Sequence, residues 1–294
     1  MLPPDPRISV IIPHLDDLQG LRACIARLDR QTLPRECFEI VVADNGSSAT
    51  LEEIEAAAPG ARVVRISQRG AGPARNGGVA ASCHAVLAFT DSDCLPEPQW
   101  LERGLEALTQ ADLVGGGVTV SLADPAHPTP SEAFEAVFAF DNRTYVEAKG
   151  FSVTANLFTT RAVFDAVGGF RGQVPEDLDW CHRARAKGFR IAYAADARVS
   201  HPARRSWAEL TRKWRRLTRE ALALDRQAGT PASAQALKAL SVAVSPFAHA
   251  GRVLAADRLD LAAKLAALGV LFRLRFLRAW WLACDLVTPT EMHP

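Results

Sequence analysis

The chain predicts an α/β fold: a mixed, mainly parallel sheet flanked by helices, followed by a helical C-terminal extension. Three observations carry that expectation. Short apolar runs such as Val10-Ile11-Ile12 and Val86-Leu87-Ala88-Phe89 alternate with segments of helical periodicity up to about residue 201, which is the pattern of βαβ units. Carboxylates follow those runs, at Asp44 and again at Asp91 and Asp93, where an open α/β sheet places its ligand crevice. The charge is divided as well. Residues 202–294 carry 15 Lys and Arg against 7 Asp and Glu, leaving 19 against 26 for residues 1–201, so the net charge of +1 conceals an acidic part and a basic part. An acidic part suits a divalent cation; a basic, Trp-bearing tail suits an anionic membrane surface or a pyrophosphate-bearing acceptor, or is simply a solvated helix face.

The elements follow in order. Ile8–Ile12 reads as a buried strand stopped by Pro13, with a helix over Leu18–Asp29 behind it. Phe38–Ala43 is a second strand, followed by a short helix over Leu51–Ala58 and a strand over Arg62–Ile66. A helix over Arg75–Ser82 and a strand over Ala85–Thr90 come next, then a helix over Gln99–Gln110 and a strand over Leu113–Ser121. The Pro-rich stretch 122–131 reads as a loop. Thr160 caps a short helix that Gly168-Gly169 ends, Glu176–Lys187 forms another closed by Gly188, and Phe189–Ala194 and Ala197–Ser200 return to strand.

From Ser206 the pattern is helical. Ser206-Trp207-Ala208-Glu209 is a capping box, and Trp207, Leu210, Trp214, Leu217 and Ala221 recur at three- and four-residue steps. Two or three more helices follow. The longest charge-free stretch of the tail, Ala239–Gly251, has 13 residues and contains Pro246, short of the roughly 20 that a membrane-spanning helix needs. Leu265–Phe272 with Arg273, Arg275, Arg278, Trp280 and Trp281 has the composition of an interfacial helix, or of one packed on the α/β part or on a second subunit.

At 48% hydrophobic and 23% charged residues, the 294-residue chain has the composition of a globular protein and is neither disordered nor fibrous. Its six cysteines show no C-x-x-C pair or zinc spacing, which points to a reducing compartment. Met1–Pro6 has neither the basic nor the apolar region of an export signal, so a cytoplasmic protein is expected.

Two aspartates flanking Ser92 at a strand end are a turn or helix-cap device as readily as a metal site. The ordered series is more specific. Val10-Ile11-Ile12-Pro13, Val42-Ala43-Asp44-Asn45-Gly46-Ser47, Gly72-Pro73-Ala74-Arg75-Asn76-Gly77-Gly78, Asp91-Ser92-Asp93, Gly168-Gly169-Phe170 and Glu176-Asp177-Leu178-Asp179-Trp180 together resemble the family 2 glycosyltransferases over residues 8–201. The resemblance implies the GT-A fold and divides the chain into a catalytic domain at 1–205, with a donor half at 1–121 and an acceptor half at 122–205, and an extension at 206–294.

It further implies a metal-dependent inverting transfer from a nucleotide-sugar donor, UDP-sugar being favoured, to a glycan or lipid-linked acceptor. Asp93 then ligates Mn²⁺ or Mg²⁺, with His201 completing the site; Asp91 and Ser92 face the nucleotide sugar. Pro13, His14, Asp16 and Asp44 meet the base, Asp17 being able to replace Asp16, and Arg75 reaches the base or the diphosphate. Asp177 is the general base and Glu176 orients it or the acceptor. Local alternatives stand beside these roles: an Asx turn at Asp44-Asn45, a hydrogen-bonded histidine before Pro202, a salt bridge at Arg75, and helix capping by Glu176 and Asp177. Thr154, Ala155 and Asn156 are candidates on the acceptor side, and Trp180 for core packing or a sugar platform. His14 stands where a small polar residue is frequent in the family, and Ala43 where a branched one is. A homodimer or peripheral attachment at the inner face of the cytoplasmic membrane is the expectation for the tail, and no nucleic acid is expected as a partner. A sugar-phosphate nucleotidyltransferase is disfavoured because Pro13–Asp17 is acidic and lacks glycine, and an inactive binding protein because Asp93 and Asp177 are present.

Overall fold

The computed structural model describes residues 7–172 and 174–287; Met1–Pro6, read above as lacking an export signal, lies outside them. β1 (Ile8–His14) leads to α1 (Leu18–Leu28), whose N-cap Asp17 accepts from Gly20 N–H at 2.8 Å. β2 (Phe38–Asp44) precedes α2 (Leu51–Ala57), opened by a reciprocal Thr50–Glu53 capping box, and β3 (Arg62–Arg65) precedes α3 (Ala71–Ala81). Then come β4 (Val86–Phe89), the two-residue β5 (Leu95–Pro96), α4 (Trp100–Leu108) and β6 (Leu113–Ser121). α5 (Pro130–Phe138) and α6 (Asn142–Lys149) are followed by β7 (Leu157–Thr160), α7 (Arg161–Val167), α8 (Glu176–Ala186) and β8 (Ile191–Pro202). α9 (Trp207–Gln227), α10 (Ala232–Leu254) and α11 (Leu261–Val287) form the tail.

These elements make two compact units. The first is the chain up to Thr119 with Phe140–Gly172 and Glu176–His201; the second is Val120–Ala139 with the chain from Pro202 onward. Among the described residues the strands form one sheet in the order β3-β2-β1-β4-β7-β6-β8-β5. β3, β2, β1 and β4 are parallel to one another, and β7 pairs antiparallel with both β4 and β6.

Strand alternation divides the core of the first unit between the two faces of the sheet. Val10, Ile12, Val42 and Ala88 face a cluster with Leu21, Ile25, Trp100 and Phe158. Ile11, Val41, Leu87 and Phe89 face the other, with Phe164, Phe170 and Trp180. Both faces are covered, which is why the strands read as continuous apolar runs. α3 approaches β1 closely because Gly78 stands at the contact: a Cβ there would lie 2.7 Å from Ile11 Cγ2.

Pro13 does not stop β1. Ile11 C=O accepts from Thr90 N–H on the β4 side, whereas His14 C=O accepts from Asn45 N–H on the β2 side. Pro13 shares the parity of Ile11, so its missing N–H faces the side that β4, paired only as far as Phe89, has already vacated. β8 is one strand where two are expected, and α3 begins at Ala71, four residues before its expected start. β5, β7, α5 and α6 are additions to the expected elements.

In the second unit, Phe134 of α5 packs with Leu210, Leu271 and Leu274 in one apolar cluster. Beside it Glu135 is buried and held by Lys213 at 2.7 Å and by Arg204 at 3.3 Å. Burial raises its carboxyl, but Lys213 and Arg204 bring it below the usual carboxylate range. α10 continues through Pro246. Proline cannot donate to the carbonyl four residues before it, and here the Ser245 hydroxyl donates to that carbonyl, Val242 O, at 2.7 Å.

Candidate active site at the carboxyl ends of the strands

β1 and β2 run in register to their last residues, so His14 and Asp44 are neighbours at the rim of the sheet. Both are buried. Neither ring nitrogen of His14 has a hydrogen-bond partner, and Asp44 Oδ2 has none either, Arg65 Nε standing off at 3.5 Å. Burial holds the His14 imidazole below its ordinary value against the pull of Asp44, Asp17 and Asp16. A buried neutral imidazole and a carboxylate oxygen, both unsatisfied, form the kind of polar pair that a ligand completes. Asp44 Oδ1 also accepts from Ser47 N–H at 3.2 Å, so the turn and the open oxygen coexist.

Asp16 is used differently. It is exposed, with φ at 51°, and its Oδ1 accepts from Ser48 N–H at 2.7 Å and Ser48 Oγ at 2.9 Å. Those bonds tie the loop after β1 to the loop after β2. Asn45 braces a second pair of segments, since its side chain donates to Gln68 O at 2.7 Å and accepts from Gly70 N–H, fixing the turn that opens α3. Its place in the sequence points only to an Asx turn.

α3 delivers Arg75 into the interior of the site. Its guanidinium binds Asp91 Oδ1 at 2.6 Å through one nitrogen and Glu176 Oε1 at 2.9 Å through another. The loop after β4 and the first turn of α8 are thereby joined through one buried cation. Asn76 secures the same junction by exchanging two 2.8 Å hydrogen bonds with the backbone of Phe170.

β5 sets the next part of the site. Its antiparallel pairing places Leu95 opposite Ser200, which brings the preceding Asp93 beside His201, the next residue of β8. His201 Nε2 lies 3.4 Å from Asp93 Oδ2, and the Phe140 ring packs on the imidazole at 4.9 Å. Asp91, Asp93, Cys94 and His201 offer ligand atoms all within 4.8 Å of one another, with Ser92 half-buried between the two aspartates. Burial, then the charges of Asp91 and Asp93, hold the Cys94 thiol well above its ordinary pKa. The two carboxylates and the imidazole of this group are oxygen and nitrogen donors, a set that fits a hard divalent cation such as Mn²⁺ or Mg²⁺. Cys94 was not anticipated from the sequence; its only signal there is adjacency to Asp93.

Glu176 and Asp177 occupy the first turn of α8, where the helix dipole favours carboxylates. Asp177 Oδ1 accepts from Leu178 N–H at 2.8 Å. The residue is half-exposed, and its carboxyl is desolvated by the protein atoms around it. That crowding, then the charge of Glu176, pushes it up to about 6. Trp180 is fully buried, donates to Gly168 O at 2.9 Å and packs on Phe164 and Phe170; it supports α8 from the core. Thr154, Ala155 and Asn156 are also buried. Asn156 donates to Gly117 O and Ala197 O and accepts from Trp100 Nε1, all within 2.9 Å, as a brace of the sheet.

Residues 9–178 match the family model described as glycosyl transferase family 2. The chain is 33% identical over 217 residues to the glycosyltransferase AglE of Haloferax volcanii, covering 71% of this chain and 70% of that one. It is 34% identical over 107 residues to the validoxylamine A glucosyltransferase of Streptomyces hygroscopicus subsp. jinggangensis, 35% of this chain and 25% of that protein. Among solved structures, the mannosyltransferase PcManGT from Pyrobaculum calidifontis, in complex with GDP-Man and Mn²⁺, superposes with a TM-score of 0.63 at 18% identity over 99% of this chain and 90% of that one. S. aureus TarS 1–349 does so with a TM-score of 0.52 at 17% identity, covering 92% and 71%.

Proposed function

Because the chain belongs to glycosyl transferase family 2 and has the GT-A fold, we propose that it is a metal-dependent inverting transferase. In this reading it moves a sugar from a nucleotide-sugar to a hydroxyl of a glycan or lipid-linked acceptor. The observation that carries the reading is the Arg75 bridge, which joins Asp91, beside Asp93 and His201, to Glu176, beside Asp177. A cation site and a high-pKa carboxyl then adjoin, as a transfer with an anionic leaving group requires.

His14 and Asp44 receive the base. An imide N–H donates to the open Asp44 oxygen, and neutral His14 supplies one donor and one acceptor. Uracil meets those demands, so UDP-sugar is the favoured donor. Asp93 and His201 would hold the divalent cation, which would supply Lewis-acid stabilisation to the leaving diphosphate. Arg75 keeps Asp91 in place and holds Glu176 in an ion pair, leaving Asp177 as the base. Asp177 takes the proton of the acceptor hydroxyl while the acceptor oxygen bonds to the anomeric carbon. The bond from that carbon to the diphosphate oxygen breaks, and its electron pair leaves with the diphosphate.

Thermal denaturation with uridine and guanosine diphosphates and their sugars, each with and without Mn²⁺, tests this reading. Ligand at about 100 times its Kd stabilises by about 2.7 kcal/mol, a rise of several degrees. The expected result is a Mn²⁺-dependent rise with uridine compounds that Asp93→Ala abolishes. A larger rise with guanosine compounds would reassign the base, and no rise with any nucleotide would overturn the reading.

A further inference from the structure

The outer face of α10 and α11 is unused by the transfer chemistry. On α10, Leu237, Leu240, Val244, Phe247 and Leu254 are exposed, Phe247 by 70%. They recur at helical spacing and make one stripe about 25 Å long. On α11, Leu261, Leu265, Phe276 and Trp280 are exposed by between 50% and 71%. Phe247 meets Phe272 edge-on at 5.1 Å and Phe276 follows at 6.1 Å, so the two stripes adjoin. A contiguous apolar face of this extent marks a binding surface.

The charge pattern selects what covers it. α10 and α11 hold six Lys and Arg against a single acid, Asp285, which Arg226 pairs. A second copy laid against this face would oppose like charges, whereas an anionic surface neutralises them. Most of these six are engaged within the protein: Arg275 and Arg278 are turned onto the Trp214 ring, Arg273 onto Trp207 and Arg252 onto Phe138, and Lys238 pairs with Asp225. Two exposed cations lie beside the end of the stripe, where Arg215 and Arg219 line a cleft with Trp280, Trp281 and Asp285; Arg215 stands over the Trp281 ring at 5.3 Å, and Arg226 neutralises Asp285. Tryptophan beside arginine suits the headgroup level of a bilayer, with the ring at the apolar boundary and the guanidinium on phosphate. No described helix is long and apolar enough to cross a membrane, so contact of this kind lies in the plane of the surface.

We propose that the α10–α11 hairpin docks flat on an anionic phospholipid surface, its apolar stripe entering the acyl boundary and Arg215 and Arg219 taking lipid phosphates beside Trp280. The docking is independent of which sugar is transferred. Co-sedimentation of the full chain with phosphatidylcholine vesicles, with and without phosphatidylglycerol and across a salt series, tests it. The expected result is binding that requires phosphatidylglycerol, weakens with salt, and falls about tenfold or more in Val244→Glu/Phe247→Glu. Arg215→Glu/Arg219→Glu is expected to remove the phosphatidylglycerol dependence. Unchanged far-UV circular dichroism and melting temperature in both variants establish that they fold. Absence of phosphatidylglycerol-dependent binding, or binding that neither variant weakens, would overturn the proposal. So would a concentration-dependent dimer, seen by light scattering without vesicle binding and split by Val244→Glu/Phe247→Glu, because it would give the face to a second copy.

Discussion

Crowding by protein atoms and the neighbouring Glu176 push the Asp177 carboxyl up to about 6, and the Leu178 N–H and then Arg75 draw it only part of the way back. A base must be unprotonated to act, so turnover is expected to fall as pH drops through about 6, visible as one acid limb in a kcat/KM profile. Stability moves the other way. A carboxyl whose folded pKa exceeds its unfolded value of about 3.9 binds its proton more tightly when folded, so stability declines from about pH 4 to about pH 6 and stays lowered above that range. Asp177→Asn removes this penalty. It is expected to gain about 1–3 kcal/mol at pH 7 by thermal melting while losing about 10²–10⁴-fold in kcat and keeping donor affinity. A variant that lost activity together with stability would make Asp177 structural. At this scale the sequence, through its segment motifs, anticipates which residues gather at the strand ends, Asp91, Asp93, Arg75 and the Glu176-Asp177 pair, but not their roles. It was silent on Cys94 beside His201 and on the bracing duty of Asn156, because both depend on strands that meet only in the fold.

Among the elements, β5 shows how little chain can set a site: two residues pair with β8 and align Asp93 with His201. No propensity or periodicity marks so short a strand, and it was not foreseen. β7 was missed because it follows a turn and shows no alternation. α5 does carry a signal, since Thr129-Pro130-Ser131-Glu132 is a capping box with proline in the first turn; the prolines just before it point to a loop instead. The brace between elements gives a prediction. Asn156→Ala leaves Trp100 Nε1 and the carbonyls of Gly117 and Ala197 buried without their partner, at about 1–3 kcal/mol for each group that finds no other. The expected outcome is a marked fall in denaturant midpoint with little change in acceptor KM for the folded fraction. A changed acceptor KM at unchanged stability would instead return Asn156 to the acceptor side.

For the whole molecule, composition and the order of segments were enough to anticipate an α/β part and a helical part, and the charge division between them. The grouping of the chain within the helical part was not legible, since Phe134 gives no local sign that its partners are Leu210, Leu271 and Leu274. This grouping has a practical consequence. A chain truncated after residue 205 keeps α5 but loses the residues that cover it, exposing Ala133, Phe134 and Ala136 and leaving Glu135 without Lys213. Such a chain is expected to be aggregation-prone on expression, and a monodisperse, cooperatively melting product would refute that expectation.

α5 also emerges early in synthesis. Leu271 follows Phe134 by 137 positions, which at 5–20 residues per second is a wait of roughly 7–27 s on the ribosome. Until then the amphipathic segment lacks its full cover, which gives nascent-chain chaperones time to bind there.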